Sequence, residues 1–200
     1  MTTSGPVGLA GVIGWPVAHS LSPRLQGFWL KELAIDGAYL PLAVKPEDLS
    51  LALWALPALG FKGVNITVPH KERAFTLVDK TDSFAKRIGA VNTICVDKKG
   101  LLTGSNTDAF GFIANLQIGA RHWRPSRPAL VLGAGGAARA VCAGLMTAGV
   151  REIRVCNRTR SRGQIMAREI GGPIVVVDWS DRGEALEGVG LLVNTTKLGM

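Results

Sequence analysis

A glycine-rich segment in the second half of the chain is the feature that most constrains its fold. Residues 133–137 read Gly-Ala-Gly-Gly-Ala and, together with Ala138, fit the pattern G-x-G-x-x-A. The segment directly follows an apolar run typical of a buried strand, residues 129–132, and opens a stretch that we expect to be helical, residues 136–148. Glycines here allow a tight turn and let the backbone approach a pyrophosphate closely. The free N–H groups at the start of the helix can then bind the phosphates. The pattern therefore predicts a Rossmann-like unit that binds a dinucleotide, and a strand-to-helix turn without a ligand is the alternative.

The residues after the next predicted strand indicate which dinucleotide this unit would bind. That strand, residues 152–156, leads into a basic segment about 20 residues beyond the glycines, where a dinucleotide-binding fold meets the adenosine ribose. Enzymes that use NAD usually carry Asp or Glu at this point, whereas this segment offers hydrogen-bond donors and positive charge, which suit a 2′-phosphate. We therefore expect NADP, although a solvated helix start would explain one of the two arginines. The candidate cofactor-binding residues are Gly133, Ala134, Gly135, Gly136, Ala137, Asn157, Arg158, Thr159 and Arg160.

Strand-like and helix-like stretches alternate through the first half, which indicates an α/β fold with a mostly parallel sheet. The pattern then changes, because residues 90–97 and 101–104 are two apolar runs joined by Lys98-Lys99-Gly100. This arrangement predicts a hairpin and an antiparallel edge to the sheet. The other elements that we expect in this half are strands at residues 7–13, 39–44 and 63–68, and helices at 23–34, 46–59 and 70–78.

The same reasoning divides the chain into two domains. We expect an α/β substrate-binding and catalytic domain over residues 1–106, a connecting helix and linker over 107–128, and a Rossmann-like NADP-binding domain over 129–200. The last domain shows only four predicted strands where a doubly wound dinucleotide domain has about six, so we expect it to be incomplete at its C-terminus. Its elements are predicted as strands at 129–132, 152–156, 174–177 and 190–194, and helices at 136–148 and 161–170, after a connecting helix at 107–116.

Three polar residues of the first half have the placement of a binding site. Ser22 precedes Pro23 and is expected to cap a helix, and Ser20 adds a second hydroxyl beside the same helix start, so that the pair could cradle a carboxylate. Lys71 follows a predicted strand at the sheet edge where open α/β folds bind ligands. A lysine at a helix start opposes the helix macrodipole, so helix stability does not explain it. A plain helix cap for Ser22 and a surface position for Lys71 are the alternatives.

Composition limits the partners that such a chain could have. The net charge is +8 but the charges are scattered, and aromatics are 6% with a single tyrosine, so we expect a small-molecule substrate rather than nucleic acid. No apolar run approaches the roughly 18 residues of a membrane span, and the N-terminus lacks the pattern of a signal peptide. Odd, widely spaced cysteines and histidines without ligand spacing predict a reduced cytoplasmic protein with no metal site. These residues are Cys95, Cys142, Cys156, His19, His70 and His122.

Several motifs in one order resemble shikimate dehydrogenase over essentially the whole chain. The motifs are Ser-Leu-Ser-Pro at 20–23, Asn-Ile-Thr-Val-Pro-His-Lys at 65–71, Gly-Ala-Val-Asn-Thr at 89–93, Asn-Thr-Asp at 106–108, Gly-Ala-Gly-Gly-Ala at 133–137, Asn-Arg-Thr at 157–159, and Asn-Thr-Thr-x-Leu-Gly-Met ending at Met200. The resemblance implies an oxidoreductase that reversibly reduces 3-dehydroshikimate to shikimate with NADPH, in chorismate and aromatic amino-acid biosynthesis. Chains of this family continue beyond the position of Met200.

The resemblance also implies roles for individual residues. Ser20 and Ser22 would bind the substrate carboxylate, and Lys71 would be the catalytic acid and base. Asp108 would orient Lys71 and a ring hydroxyl. The remaining implied contacts are Thr67 and Asn92 with the substrate, and Met200 with the cofactor.

Two alternatives stay open from the sequence. One is a quinate/shikimate dehydrogenase that uses NAD, and the other is a truncated, non-catalytic chain that only binds NADP. The sequence also leaves open whether the chain forms a homodimer.

Overall fold

The structure is a computed structural model that describes residues 8–196 and 198. The described chain divides into two compact units. The first unit comprises residues 8–86 and 90–106, and the second comprises residues 87–89 and 107–198. Each unit has its own sheet. No described helix is long and apolar enough to cross a membrane.

The first unit is built on a six-stranded sheet with the order β2-β1-β3-β5-β6-β4. Five of the strands run in one direction, and β5 is antiparallel to both of its neighbours, β3 and β6. The strands are β1 (Gly8–Gly14), β2 (Gly37–Ala43), β3 (Phe61–Ile66), β4 (Lys80–Thr81), β5 (Thr93–Val96) and β6 (Leu102–Ser105). The helices are α1 (Ser22–Glu32), α2 (Leu49–Ala55), α3 (Lys71–Phe75) and α4 (Ser83–Ile88), with a 3-10 turn at Pro46–Asp48.

The two faces of this sheet differ in polarity because side chains alternate along each strand. One face is apolar and packs under α2, α3 and α4 to form the core of the unit, with Ile13, Val64, Ile66, Ile94, Leu49, Leu53 and Ala74 among its buried members. The opposite face carries Asn65 of β3, which pairs in register with Val12 on one side and with Thr93 on the other. Tyr39 of β2 lies on this second face, two residues before the register partner of Val12. Tyr39, Asn65 and Thr93 thereby lie on the same face of the sheet.

The second unit is a four-stranded parallel sheet with the order β10-β7-β8-β9. Its strands are β7 (Ala129–Leu132), β8 (Ile153–Cys156), β9 (Ile174–Val177) and β10 (Leu191–Asn194). Its helices are α5 (Asp108–Gly119), α6 (Gly136–Thr147) and α7 (Arg160–Ile170), with 3-10 turns at Ser180–Arg182 and Glu184–Leu186. All four strands end at the same edge, which brings the ends of β7, β8 and β9 side by side.

Helix α6 is the centre of the second unit. Residues 138–145 of this helix are all buried, which explains why its sequence is apolar almost all round. Gly144 allows α5 to pack closely, since a Cβ atom there would lie 3.1 Å from the carbonyl oxygen of Ala109 and 3.0 Å from Ile113. Arg139 is the buried charged residue of α6, and its guanidinium pairs with Glu169 of α7 and donates to the Ile88 carbonyl at 3.0 Å.

The predicted α/β class with mostly parallel sheets is confirmed, and several element predictions need correction. The hairpin formed by β5 and β6 is present, but its antiparallel strand β5 lies inside the sheet, because β5 pairs with β3 on one side and with β6 on the other. The edge of the sheet is the two-residue strand β4, which runs parallel to β6. The predicted helix over residues 46–59 begins as a 3-10 turn and its α-helical part ends at Ala55, shortly before Pro57. Neither β4 nor α4 was predicted, since residues 80–88 have no clear apolar period.

Candidate functional site

The start of α1 differs from the predicted cap. Ser22 is already the first helical residue, Leu21 occupies the cap position, and neither supplies a side-chain cap to the helix. Instead, the Ser20 hydroxyl accepts a hydrogen bond from the Ser22 N–H at 3.3 Å. The prediction that Ser22 caps the helix was therefore wrong, and Ser20 occupies that role in part. The two hydroxyls nevertheless lie together at a helix start, which is where a carboxylate would be stabilised.

A chain of hydrogen bonds crosses the polar face of the first sheet. The Tyr39 hydroxyl donates to Asn65 Oδ1 at 2.6 Å. Asn65 Nδ2 donates to Thr93 Oγ1 at 3.1 Å and to the Asn92 carbonyl at 3.3 Å. The Thr93 hydroxyl in turn donates to Asn92 Oδ1 at 2.9 Å. This chain links β2, β3 and β5 and ends at the amide that the sequence singled out, which is 8% exposed.

The hydroxyl of Tyr39 also lies beside α1. Burial raises the pKa of Tyr39 above its ordinary value, and a hydrogen bond with the Ser22 side chain opposes that shift. The tyrosine hydroxyl therefore joins the serine end of the site to its amide end.

The turn between β3 and α3 carries Thr67 and Lys71. The Thr67 N–H donates to the Ile13 carbonyl at 2.9 Å, which fixes the residue at the end of β1. The Lys71 carbonyl accepts from the Val91 N–H at 3.0 Å, so the lysine backbone is fixed to the segment before Asn92. Thr67 and Lys71 follow β3, and Asn92 directly precedes β5, which is antiparallel to β3, so the three residues belong to one edge of the first sheet.

His70 stabilises the same turn through hydrogen bonds of its ring and its main chain. The residue is 1% exposed, and its ring Nε2 lies 2.9 Å from the Val44 carbonyl oxygen. Its main-chain N–H donates to the Thr67 carbonyl at 2.9 Å. Because the Val44 oxygen can only accept, the ring must donate through Nε2. Burial lowers the pKa of His70, and the bond to Val44 only partly offsets that effect, so the neutral ring is favoured.

Asp108 belongs to the second unit, where it is the first residue of α5 after the cap residue Thr107. A carboxylate in the first turn of a helix interacts favourably with the helix macrodipole. The neighbouring Asn106 belongs to the first unit and is buried, with its side-chain amide donating to the Ala90 carbonyl at 3.0 Å.

The glycine loop has the backbone geometry that a pyrophosphate requires. Gly133 has φ +114°, a conformation that favours glycine, and its N–H donates to the Cys156 carbonyl at 2.8 Å. A Cβ atom at this position would also collide with Thr195, whose hydroxyl donates to the Leu132 carbonyl at 2.6 Å. Gly135 is the extended cap residue of α6, and no described side chain caps this helix. The N–H groups at the start of α6 are thus available to an anion, and Ala138 is fully buried as close helix packing requires.

The basic segment lies where β8 and β9 end. Asn157 and Arg158 follow β8, and the Asn157 amide donates to the Thr159 carbonyl at 2.8 Å, which shapes the loop. Arg160 begins α7 and forms an ion pair with Asp178, the residue after β9. Arg158 is exposed. The two arginines therefore differ, since the charge of Arg160 is already compensated by a carboxylate. Donor groups and positive charge of this kind are chemically suited to phosphates. Among the described residues no group of His, Cys, Asp or Glu could hold a metal ion.

Comparisons with known proteins agree with this geometry. Residues 12–94 match the family model described as the shikimate dehydrogenase substrate binding domain, and residues 120–198 match the model described as shikimate / quinate 5-dehydrogenase. A curated relative from Paramagnetospirillum magneticum, named shikimate dehydrogenase (NADP(+)), is 61% identical over 198 residues. The alignment covers 98% of this chain and 72% of that protein. The chain belongs to the shikimate dehydrogenase family. The resemblance that the motifs carry is thereby confirmed.

Solved structures of the family have the same fold. Shikimate 5-dehydrogenase from Thermus thermophilus, in complex with NADP(H) and shikimate, is 41% identical with a TM-score of 0.83, covering 96% of this chain and 70% of that one. Quinate dehydrogenase from Corynebacterium glutamicum, in complex with NAD, is 31% identical with a TM-score of 0.86, covering 97% of this chain and 72% of that one. The family fold therefore accommodates both nicotinamide dinucleotides.

Sequence reasoning singled out most of these residues but missed some of their partners. Tyr39 was predicted only as the start of a strand, and Asp178 had no predicted role, because the partner of each lies on another element, Asn65 on β3 and Arg160 on α7. The fact that Tyr39 is the single tyrosine, on a strand whose other side chains are apolar, is the signal that could have found it. Met200, predicted to contact the cofactor, lies outside the described residues.

Proposed function

We propose that this chain is an oxidoreductase that reversibly reduces 3-dehydroshikimate to shikimate with NADPH. The observation that carries the proposal is the set of hydroxyls, amides and one lysine at a single edge of the first sheet, in a chain whose second unit offers a glycine loop and arginines for NADP. A small polyhydroxylated carboxylic acid needs such a set of donors and acceptors. The curated relative and the Thermus thermophilus enzyme carry names that agree with this substrate and cofactor.

The substrate-binding roles follow from residue chemistry and position. Ser20 and Ser22 bind the carboxylate, because two hydroxyls at a helix start provide donors together with the favourable end of the helix dipole. Thr67 and Asn92 bind ring hydroxyls. Asn92 suits this role because Thr93 fixes the orientation of its amide.

Lys71 is the residue to which we assign proton transfer. Reduction of a ketone creates an alkoxide oxygen, which takes a proton from the lysine ammonium, and in the oxidation direction the neutral amine takes that proton back. Asp108 orients Lys71 and a ring hydroxyl, the role that the family resemblance implies. When bound, NADPH supplies the hydride that adds to the carbonyl carbon.

The cofactor assignment rests on the second unit. The backbone of residues 133–137 and the start of α6 meet the pyrophosphate, and Asn157, Arg158, Thr159 and Arg160 provide the environment of the 2′-phosphate. The described part of this segment carries no acidic residue at the end of β8, where an NAD enzyme would use one to bind the ribose.

The decisive test is shikimate oxidation by the purified chain, followed by NADPH absorbance, with a Lys71→Ala variant. We expect turnover with NADP and a loss of about 10²- to 10⁴-fold in kcat in the variant, the contribution of a positioned acid or base. Lys86→Ala is the matched control, since Lys86 is an exposed lysine on α4 of the same unit. NADP binding without any turnover would replace this proposal with that of a chain that only binds the cofactor.

A second candidate function is oxidation of quinate with NAD. The similarity to the Corynebacterium glutamicum quinate dehydrogenase favours keeping it. Turnover measured with each pairing of shikimate or quinate with NADP or NAD separates the two candidates. A preference for quinate with NAD would contradict the proposed roles of Arg158 and Arg160.

We also infer that the protein acts in the cytoplasm. All three cysteines are free thiols, which suits a reducing compartment. Fractionation of cells that express the chain with its native ends would test this inference, and recovery in a secreted fraction would contradict it.

A further inference from the structure

The hydrogen-bond chain on the polar face of the first sheet has a direction that is fixed from two sides, by the Tyr39 hydroxyl and by the Asn92 carbonyl, which can only accept. Asn65 carries an amide whose oxygen and nitrogen could exchange places by a half-turn of the side chain. The Tyr39 hydroxyl, as donor, places the Asn65 oxygen towards β2. The Asn65 nitrogen then faces β5, where it donates to Thr93 and to the Asn92 carbonyl.

The orientation of Asn65 determines the next step of the chain. Thr93 Oγ1 accepts from Asn65 and therefore directs its own proton to Asn92 Oδ1. If Asn65 turned over, its oxygen would face Thr93, and the threonine proton would be drawn away from Asn92. Each member of the chain thus has one favourable orientation, which the tyrosine proton and the Asn92 carbonyl both favour.

Tyr39 is also suited to this role by its surroundings. The ring is half-buried, so packing contributes to its position besides the hydroxyl. The hydroxyl is next to the Ser22 side chain as well, at the other end of the candidate substrate site. Loss of the hydroxyl alone would remove the donor to the Asn65 oxygen and leave the amide held only from the β5 side.

We propose that Tyr39 is a positioning residue that, together with the Asn92 carbonyl, holds the amide orientations of Asn65 and, through Thr93, of Asn92 for binding of the polyhydroxylated substrate. The proposal rests on the proposed function, because it takes the edge occupied by Asn92 as the substrate site. Tyr39 is not a catalytic residue, since it acts through the two amides.

The test is the affinity for shikimate of the full chain with Tyr39→Phe, Thr93→Val and both changes together, measured by calorimetry alongside kcat and KM. We expect each single change to raise Kd and KM about 10-fold while kcat falls less than about 2-fold, since one oriented hydrogen bond in ground-state binding is lost. The double variant should bind shikimate about as tightly as the single variant with the lower affinity, because both changes break the same hydrogen-bond chain.

Controls separate this role from a structural one. Thr103→Val removes an exposed hydroxyl from β6 of the same sheet, outside the chain, and should leave Kd unchanged. Unchanged Kd in Tyr39→Phe, or fully additive effects in the double variant, would overturn the proposal. A wild-type chain that binds no shikimate would contradict the proposed function and this inference together, whereas wild-type binding that survives Tyr39→Phe contradicts the inference alone.

A measurement without any variant provides independent evidence. Because the chain has one tyrosine, carbon-13 labelling at the ring carbon that bears the hydroxyl gives a single signal. We expect that signal to shift when shikimate is added and to stay in place when NADP is added alone. A signal that ignores shikimate under saturating conditions would also overturn the proposal.

Discussion

The two units build their candidate sites from different parts of the polypeptide. In the second unit the candidate site is the main chain of one consecutive segment, residues 133–137, which offers N–H groups at the start of α6. In the first unit the site is made of side chains from several elements, joined by hydrogen bonds such as that of Tyr39 with Asn65. A main-chain site depends on backbone conformation, so it is sensitive to added side-chain bulk. A side-chain site depends on orientation, so it is sensitive to loss of single polar atoms.

The largest effect that tests this difference is expected from Gly133→Ala. The substitution forces a Cβ atom into a left-handed conformation, which costs roughly 1–3 kcal/mol, and into Thr195, which adds an overpacking cost of similar size. Chemical denaturation should therefore show a lower free energy of unfolding. Gly149→Ala is the matched control, because Gly149 has φ +93° but open space around it and so isolates the conformational strain. Equal losses in the two variants would contradict the close contact with Thr195.

Gly135→Ala should separate ligand binding from stability within the same loop. Gly135 has φ −98° and ψ −173°, an extended conformation that alanine adopts without strain. We expect the free energy of unfolding to stay close to that of the wild type, while affinity for NADP falls at least about 10-fold because the methyl group blocks the approach of the pyrophosphate. NADP titration by calorimetry would measure this, and unaltered affinity would show that the phosphates do not approach Gly135.

The two arginines of the second unit should contribute unequally to cofactor choice. Arg158→Ala is expected to weaken NADP binding about 10- to 100-fold and to leave NAD binding nearly unchanged, because charge-assisted hydrogen bonds contribute about 1.5–3 kcal/mol each. Arg160→Ala should have a smaller effect, since the ion pair with Asp178 already compensates its charge. Dissociation constants for both dinucleotides would decide the matter. A larger loss in Arg160→Ala would mean that the ion pair orients Arg160 towards the phosphate.

The sequence anticipated the second unit more closely than the first for a physical reason. The parallel strands β7 and β9 are continuous apolar runs with clear ends, so both have the bounds that were predicted. The internal position of β5 depends on pairing between segments far apart in the chain, which periodicity does not report. The strand β4 has only two residues and no pattern of its own.

The same distinction applies to the candidate sites. Contiguous motifs such as residues 65–71 can be recognised from the sequence alone, whereas the partners of those residues lie elsewhere in the chain. Tyr39 meets Asn65 across β1, and Asp178 meets Arg160 across two strand ends, so neither contact could be inferred before the sheet order was known.

His70 offers a pH-dependent test of the first unit. Burial lowers the pKa of the folded histidine below its ordinary value of 6.5, so the unfolded chain takes up a proton at a higher pH than the folded one. The contribution of His70 to the free energy of unfolding should therefore be constant above about pH 6.5 and should fall as the pH is lowered below that value. His70→Gln keeps a donor for the Val44 carbonyl but does not titrate. The difference in unfolding free energy between wild type and variant should thus shrink as the pH falls, and a pH-independent difference would contradict this account.

The smallest expected effect concerns the cysteines, which report on the two units separately. Cys95 of the first unit is exposed, while burial raises the pKa of Cys142 in the second unit to about 12 and also raises that of Cys156. Because the thiolate is the reactive form, a thiol reagent at mildly alkaline pH should modify one thiol in the native chain and three after denaturation. Cys95→Ser should abolish the fast reaction and leave the rest. We expect NADP to slow the modification of Cys142 and Cys156 and shikimate to leave it unchanged. That result would show that NADP stabilises the second unit by itself, as expected if the dinucleotide binds the main-chain site of that unit. Equal protection by both ligands would show instead that the two units open together.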